Sequence, residues 1–185
     1  MRTFLTALAL GLALPSMAMA KPAKVDKGHS GVMFKAHHFG AGYTWGRFND
    51  FSGTVDMDGK ELKGVDITIK AASLDTGIEK RDKHLRSPDF FEADTHADIT
   101  FKSSKVTKKS DGVYAVVGTL GLHGVEKPIT VEMRYTGEGD LPAMVGGAHV
   151  TGWETDFPIK QSDHGMNYQA IGDEAFVYVN LEVKN

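Results

Sequence analysis

The strongest constraint on this chain is alternation. From Ala175 to Val183 every second residue is apolar: Ala175, Val177, Val179, Leu181 and Val183. Successive side chains of a strand point to opposite faces, so this pattern buries one face and wets the other. The same period recurs upstream. Val65, Ile67 and Ile69 alternate with Asp66, Thr68 and Lys70, and Ile129, Val131, Met133 and Tyr135 alternate with Thr130, Glu132 and Arg134. Val113, Ala115 and Val117 alternate with Tyr114 and Val116, which leaves the inward face undecided. Further strands are expected at Ser30–Ala36, Gly53–Asp58, Ile99–Lys105 and Ala148–Thr155, for about eight in all. Asp58-Gly59 and Asp111-Gly112 are hairpin dipeptides, which favour antiparallel pairing. Gly40-Ala41-Gly42, followed by Tyr43 and Trp45, reads as a strand-to-strand connection. One short helix is expected at Ile78–Arg86, capped by Asp75 or Thr76, with Asp82 paired to Arg86 at four-residue spacing. Pro88 ends it by disfavouring helical geometry at Ser87. An all-β chain of this kind forms a sandwich or a closed up-and-down barrel, and periodicity does not choose between them.

The first residues read as a processing signal. Arg2 precedes an apolar run, Phe4–Leu14, that is too short to cross a bilayer. Pro15 breaks the run, and Ala18-Met19-Ala20 is a small-x-small cleavage site. Cleavage after Ala20 is expected to release residues 21–185 to the periplasm, about 165 residues for one domain with one core. The formal charge of −3, more acidic still without Arg2, argues against nucleic acid as a partner. The chain has no cysteine, which excludes thiol catalysis and thiolate metal sites.

Eight histidines invite a metal site. Their spacing does not supply one. His37 and His38 point to opposite faces of an extended segment, and no HxH strand or HxxxH helix occurs. The expectation is of no metal and no cofactor, with a histidine-based metal or stress-response module as an alternative. No G-x-S-x-G elbow occurs, so catalysis is not expected. A hydrolase or transferase using His84 or His123 as base is the other alternative. Asp56 and Asp58 read as a solvated hairpin end.

Two features point to an amphiphile. The aromatics Phe34, Phe39, Tyr43, Trp45, Phe48, Phe51, Phe90, Phe91 and Phe101 suit the lining of an apolar tunnel. The segment Arg81–Ser103, RDKHLRSPDFFEADTHADITFKS, sets Arg81, Lys83, His84 and Arg86 beside Phe90 and Phe91. Such cations give charge-assisted hydrogen bonds to a phosphate or carboxylate.

The same segment resembles a signature of the YceI family of periplasmic lipid-binding proteins. Gly118–Thr130 (GTLGLHGVEKPIT) resembles the family's other hallmark, and Asp156–Lys160 (DFPIK) adds a third match. The resemblance implies an eight-stranded antiparallel lipocalin-like barrel with one short helix and a long internal cavity. It implies binding and carriage of a long-chain isoprenoid or fatty-acid-like lipid, without catalysis. Phe34, Phe39, Trp45, Phe48, Phe90 and Phe101 are the expected wall; His37, Arg81, His84 and Arg86 are the expected head-group candidates. Gln161 stands in a stretch where many members carry Arg, so no head-group residue is carried over from those members. Transient contact with a membrane or carrier, and a homodimer, are compatible with this reading.

Overall fold

The computed structural model describes residues 21–168 and 171–184; the expected cleavage at Ala20 lies outside them. The strands are β1 (Lys21–Val25), β2 (Gly31–His38), β3 (Gly42–Phe48), β4 (Phe51–Asp58), β5 (Glu61–Lys70), β6 (Leu74–Asp75), β7 (Asp98–Ser110), β8 (Val113–Leu122), β9 (Val125–Asp140), β10 (His149–Lys160) and β11 (Ile171–Lys184). Among the described residues one α-helix, α1, spans Glu79–Leu85.

All pairings are antiparallel. The hydrogen-bonded order runs β1-β4-β5-β7-β8-β9-β10-β11, and β11 returns to β1 through Lys24↔Lys184 and Val25↔Val183. That ring is a closed eight-stranded barrel. The other three strands are continuations of ring members. β2 extends β1 and pairs with β11 and β3; β3 runs into β4; β6 extends β5 and pairs with β3. Among the described residues no further strand pairs beyond β6, which leaves β6 as an edge at this end of the barrel. Leu85 of α1, with Phe90 and Phe91 of the loop after it, adds to the inner wall.

Several sequence expectations need correction here. Gly42–Phe48 is not a mere connection but a full strand, hairpin-paired to β2 from Val32↔Phe48 to His38↔Gly42. Its alternation is masked by Gly46, which faces inward as a gap. A Cβ there would sit 2.4 Å from Phe34 Cζ, so the glycine makes room for the Phe34 ring. The helix is shorter than expected, and its N-cap is Ile78, which has no side-chain cap bond. Asp82 does not pair with Arg86. Its carboxylate accepts from the backbone N–H (2.9 Å) and hydroxyl of Thr76, while an Arg86 guanidinium nitrogen donates to the Leu74 carbonyl at 2.8 Å. The chain before α1 folds back over the helix, and that brings these groups nearer than one helical turn brings Asp82 to Arg86.

The core lies in two layers. At the closed end Trp153 is fully buried, with Tyr114 and Tyr135 edge-on to it at 5.7 and 5.5 Å between ring centroids. Val55, Val116, Leu181 and Val183 complete this plug. On β8 the inward face is therefore Tyr114, Val116, Leu120 and Leu122. At the open end, Val32, Phe34 and Phe48, packed in one cluster with Phe51 and Leu74, border a space that side chains do not fill.

The β1–β11 seam closes through Asp26. Its carboxylate accepts from Lys184 Nζ (2.8 Å) and pairs with His29 Nδ1 (2.9 Å). Lys184, then His29, hold the Asp26 carboxyl far below the usual carboxylate range, and Asp26 in turn raises the His29 imidazole. A lowered carboxyl stabilises the fold above its unfolded pKa and loses that contribution as pH falls; a raised imidazole stabilises below its unfolded pKa and loses it as pH rises. The seam is therefore strongest between roughly pH 4 and 6.5, the unfolded values of the two groups. Asp26→Asn is expected to flatten the acid limb of stability measured by urea midpoints from pH 2 to 7. An unchanged acid limb would show that other carboxylates govern it.

Candidate functional site

Closing a sheet of strict alternation turns one parity inward on every strand. Val65, Ile67 and Ile69 all line the resulting tunnel, as do Ala175, Val177, Val179 and Leu181 on β11. The tunnel holds about 140 Å³, and its lining residues Val131, Met133 and Leu181 belong to the same packed cluster as Trp153. Thr100, Thr155 and Gln161 are its polar lining residues; the rest of the wall is aliphatic or aromatic. Gln161 is buried and its amide donates to the Gly172 carbonyl at 2.7 Å.

Upward, the tunnel opens into a vestibule of about 570 Å³. The two share Phe34, Ala36, Leu85, Phe90 and Ile171 as common wall. Such a volume is within the range of roughly 300–1,000 Å³ seen for small-molecule sites. The vestibule is lined by His37, His38, Lys80, Arg81 and His84 with mostly apolar neighbours, and among the described residues no Asp or Glu lines it. Arg81 is oriented by two bonds to Thr76, from Nε to the hydroxyl (2.7 Å) and from Nη2 to the carbonyl (2.8 Å). The Thr76 hydroxyl is itself bonded to buried Asp82, so Thr76 and Asp82 together hold the guanidinium at the rim. His84 pairs with Asp89 through Nε2 at 2.8 Å and sits edge-on to Phe90 and Tyr168, at 5.1 and 5.4 Å. Positive charge at the rim therefore faces an apolar shaft.

The structure brings most of the expected residues together. Phe34, Phe48, Phe90 and Phe101 line the tunnel, while His37, Phe39, Arg81 and His84 line the vestibule. Phe39 takes part only from the β2–β3 turn, where it is 69% exposed.

Two residues lie elsewhere. Trp45 was expected inside, but the β2–β3 register pairs it with Lys35 on the outer face, opposite in parity to Phe34, Gly46 and Phe48. There Lys35 Nζ lies 4.7–5.5 Å from the ring centroids of Tyr43, Trp45, Phe176 and Tyr178. The exposed tryptophan is one wall of a cation–π cluster. Arg86 lines neither space, because its guanidinium is turned to the Leu74 carbonyl. Sequence reasoning missed Phe157 and Ile159 of β10, although their spacing of two is a strand signal, and it missed Tyr168, which carries no local signal at all.

Comparison with known proteins adds to this geometry. A family profile described as the YceI-like domain matches residues 24–183. The chain is 40% identical over 185 residues to a UPF0312 protein of Vibrio parahaemolyticus, covering 98% of this chain and 95% of that protein. It is 39% identical over 168 residues to a UPF0312 protein of Pseudomonas aeruginosa, covering 88% and 86%. Among solved structures, Burkholderia cenocepacia BcnA is similar in fold, with a TM-score of 0.75 at 24% identity over 85% of this chain and 98% of that one. A polyisoprenoid-binding domain from Saccharophagus degradans, implicated in plant cell wall breakdown, is similar with a TM-score of 0.70 at 20% identity, over 89% and 99%.

Proposed function

The chain belongs to the YceI-like family, and from that premise we propose that it binds a long-chain isoprenoid or similar amphiphilic lipid in its barrel and carries it through the periplasm. One observation carries the reading: a narrow apolar tunnel leads into a vestibule that bears Lys80, Arg81 and three histidines and, among the described residues, is lined by no carboxylate. The tail lies in the tunnel. The head, anionic or strongly polar, lies in the vestibule. The polyisoprenoid-binding domain of S. degradans, similar in fold, supports the ligand class. The leader-like residues 1–20 support the compartment.

Affinity in such a site comes from the tail. Each methylene removed from water contributes roughly 0.8 kcal/mol, whereas an exposed ion pair contributes about 0–1 kcal/mol. The rim cations choose the head and orient it. The mechanism is sequestration and transfer: no bond is made or broken, and delivery requires only a transient meeting with a membrane or carrier. The wall of the shaft favours this over chemistry, because no titratable side chain is among its described lining residues to act as acid or base.

The test is mass spectrometry of organic extracts from protein purified under native conditions, with titration of delipidated protein by a fluorescent polyprenyl phosphate. One chain-like lipid per protein and saturable binding are expected. A lipid-free extract together with absence of saturable binding would overturn the reading.

A further inference from the structure

Two segments distant in sequence converge at one end of the barrel, one of them the loop that carries Phe90 and Phe91. Glu92 and His96 belong to the stretch between α1 and β7. His123 is the first residue of the two-residue turn between β8 and β9. Glu92 Oε2 lies 3.7 Å from His96 Nε2 and 3.6 Å from His123 Nε2, and all three ligand atoms lie within 4.8 Å of one another. Both separations are too long for hydrogen bonds. They are close to the edge of a tetrahedron built on metal–ligand bonds of about 2.0–2.1 Å, which is roughly 3.3 Å.

The proton arrangement points the same way. His123 Nδ1 is 3.0 Å from the His164 carbonyl. A carbonyl only accepts, so Nδ1 carries the hydrogen, and in the neutral ring Nε2 keeps a lone pair. That Nε2 is buried and has no hydrogen-bond partner. The second Glu92 oxygen, Oε1, accepts from the Thr95 hydroxyl at 3.0 Å, which fixes the carboxylate with Oε2 turned to the imidazoles. A histidine whose far nitrogen donates to a backbone carbonyl, and a carboxylate held by a neighbour, are the usual outer contacts of metal ligands.

The backbone is committed to the arrangement as well. Among the described residues, non-glycine positive φ occurs at three positions, and two of them are Glu92 (44°) and His123 (53°). Each such residue costs on the order of 1–3 kcal/mol and persists only where the surroundings hold it. Gly124 follows His123 at φ 71°, and a Cβ there would lie 2.5 Å from His96 Cε1, so only glycine lets the His96 ring approach.

We propose that Glu92, His96 and His123 bind a divalent transition-metal ion of the zinc class. Two imidazoles and a carboxylate are a zinc donor set that leaves a fourth position open. The three side chains are 32%, 27% and 15% exposed, so that position faces solvent. The ion ties the loop carrying Phe90 and Phe91, both in the tunnel wall, to the β8–β9 turn. It thereby fixes the cover of the cavity. A second cluster, Asp26, His29 and Glu182, is not such a site, because Lys184 already supplies the cation to Asp26 at 2.8 Å.

The test uses chelator-treated mature protein titrated with zinc sulfate by calorimetry, with thermal melts alongside. One zinc per chain, and a melting temperature that rises with zinc concentration, are expected. Cobalt(II) is expected to give the visible absorption of a four-coordinate site. Glu92→Gln, which keeps the shape and the Thr95 contact, and His96→Ala are each expected to weaken zinc at least tenfold. Absence of saturable binding by the folded wild-type protein would overturn the site. So would unchanged affinity in both variants, which would place the ion elsewhere.

Discussion

Trp153→Ala is expected to remove about 3–5 kcal/mol of stability, the range for emptying a large aromatic site in a core. Trp153 has no exposed surface and sits in the core layer beneath the tunnel, edge-on to Tyr114 and Tyr135. Its removal opens a void in a fully buried layer. The neighbouring residues lie on strands whose registers are locked by ladder bonds, so they cannot move in to fill it. Domains of this kind have only about 5–15 kcal/mol in total, so the loss is a large share. At roughly 2–4 °C per kcal/mol for a chain of this size, the melting temperature falls by roughly 6–20 °C. Urea and thermal melts followed by near-ultraviolet circular dichroism measure it. The indole Nε1 has no hydrogen-bond partner, so Trp153→Phe loses area but no bond and is expected to cost much less. A loss below about 1 kcal/mol in Trp153→Ala would mean that this layer can collapse, contrary to the close packing expected of it.

Ala36→Phe is expected to abolish most lipid binding while leaving the fold intact. Ala36 lies on β2, in register with Ala175 and Thr44, and belongs to the wall of both tunnel and vestibule. A phenyl ring there enters open space at the junction and stops a chain from passing downward. Excluding five methylenes from the tunnel forfeits roughly 4 kcal/mol at about 0.8 kcal/mol each, which is roughly a thousandfold in Kd. Displacement of a fluorescent polyprenyl phosphate measures the change, with melting temperature as the control for folding. Trp45→Ala, on the outer face, is expected to leave binding within a few-fold of wild type. Retention of near-normal affinity by Ala36→Phe would place the tail outside the tunnel. A zinc response unchanged in Ala36→Phe would show that the metal cluster and the lipid site are independent features of one barrel.

Much of the site was legible one strand at a time. Val65, Ile67 and Ile69 were readable as one face because side-chain direction on a strand has period two, and an inward assignment for one carries the others. The aromatics of the tunnel followed from the same logic at Phe34, Phe48 and Phe101. The logic failed at Trp45, since hydrophobicity suggests the interior and only register assigns the face. Pairing with Lys35 and the opposite parity of Gly46 put the indole outside.

What the sequence determined by itself was local: strands with one apolar face, the hairpin turns, a short helix ended by Pro88, and a cationic segment next to aromatics. Closure was a tertiary decision, because whether the last strand meets the first depends on the accumulated twist and stagger of all eight, which no single segment encodes. The split of three ring strands into collinear pieces, the turn of Arg86 to the Leu74 carbonyl, and the hollow above Trp153 followed from that closure. So did the meeting of Glu92 and His96 with His123, about 30 positions apart along the chain. Spacing rules could not see that cluster, since its ligands are brought within 4.8 Å by two loops folding over one end of a barrel.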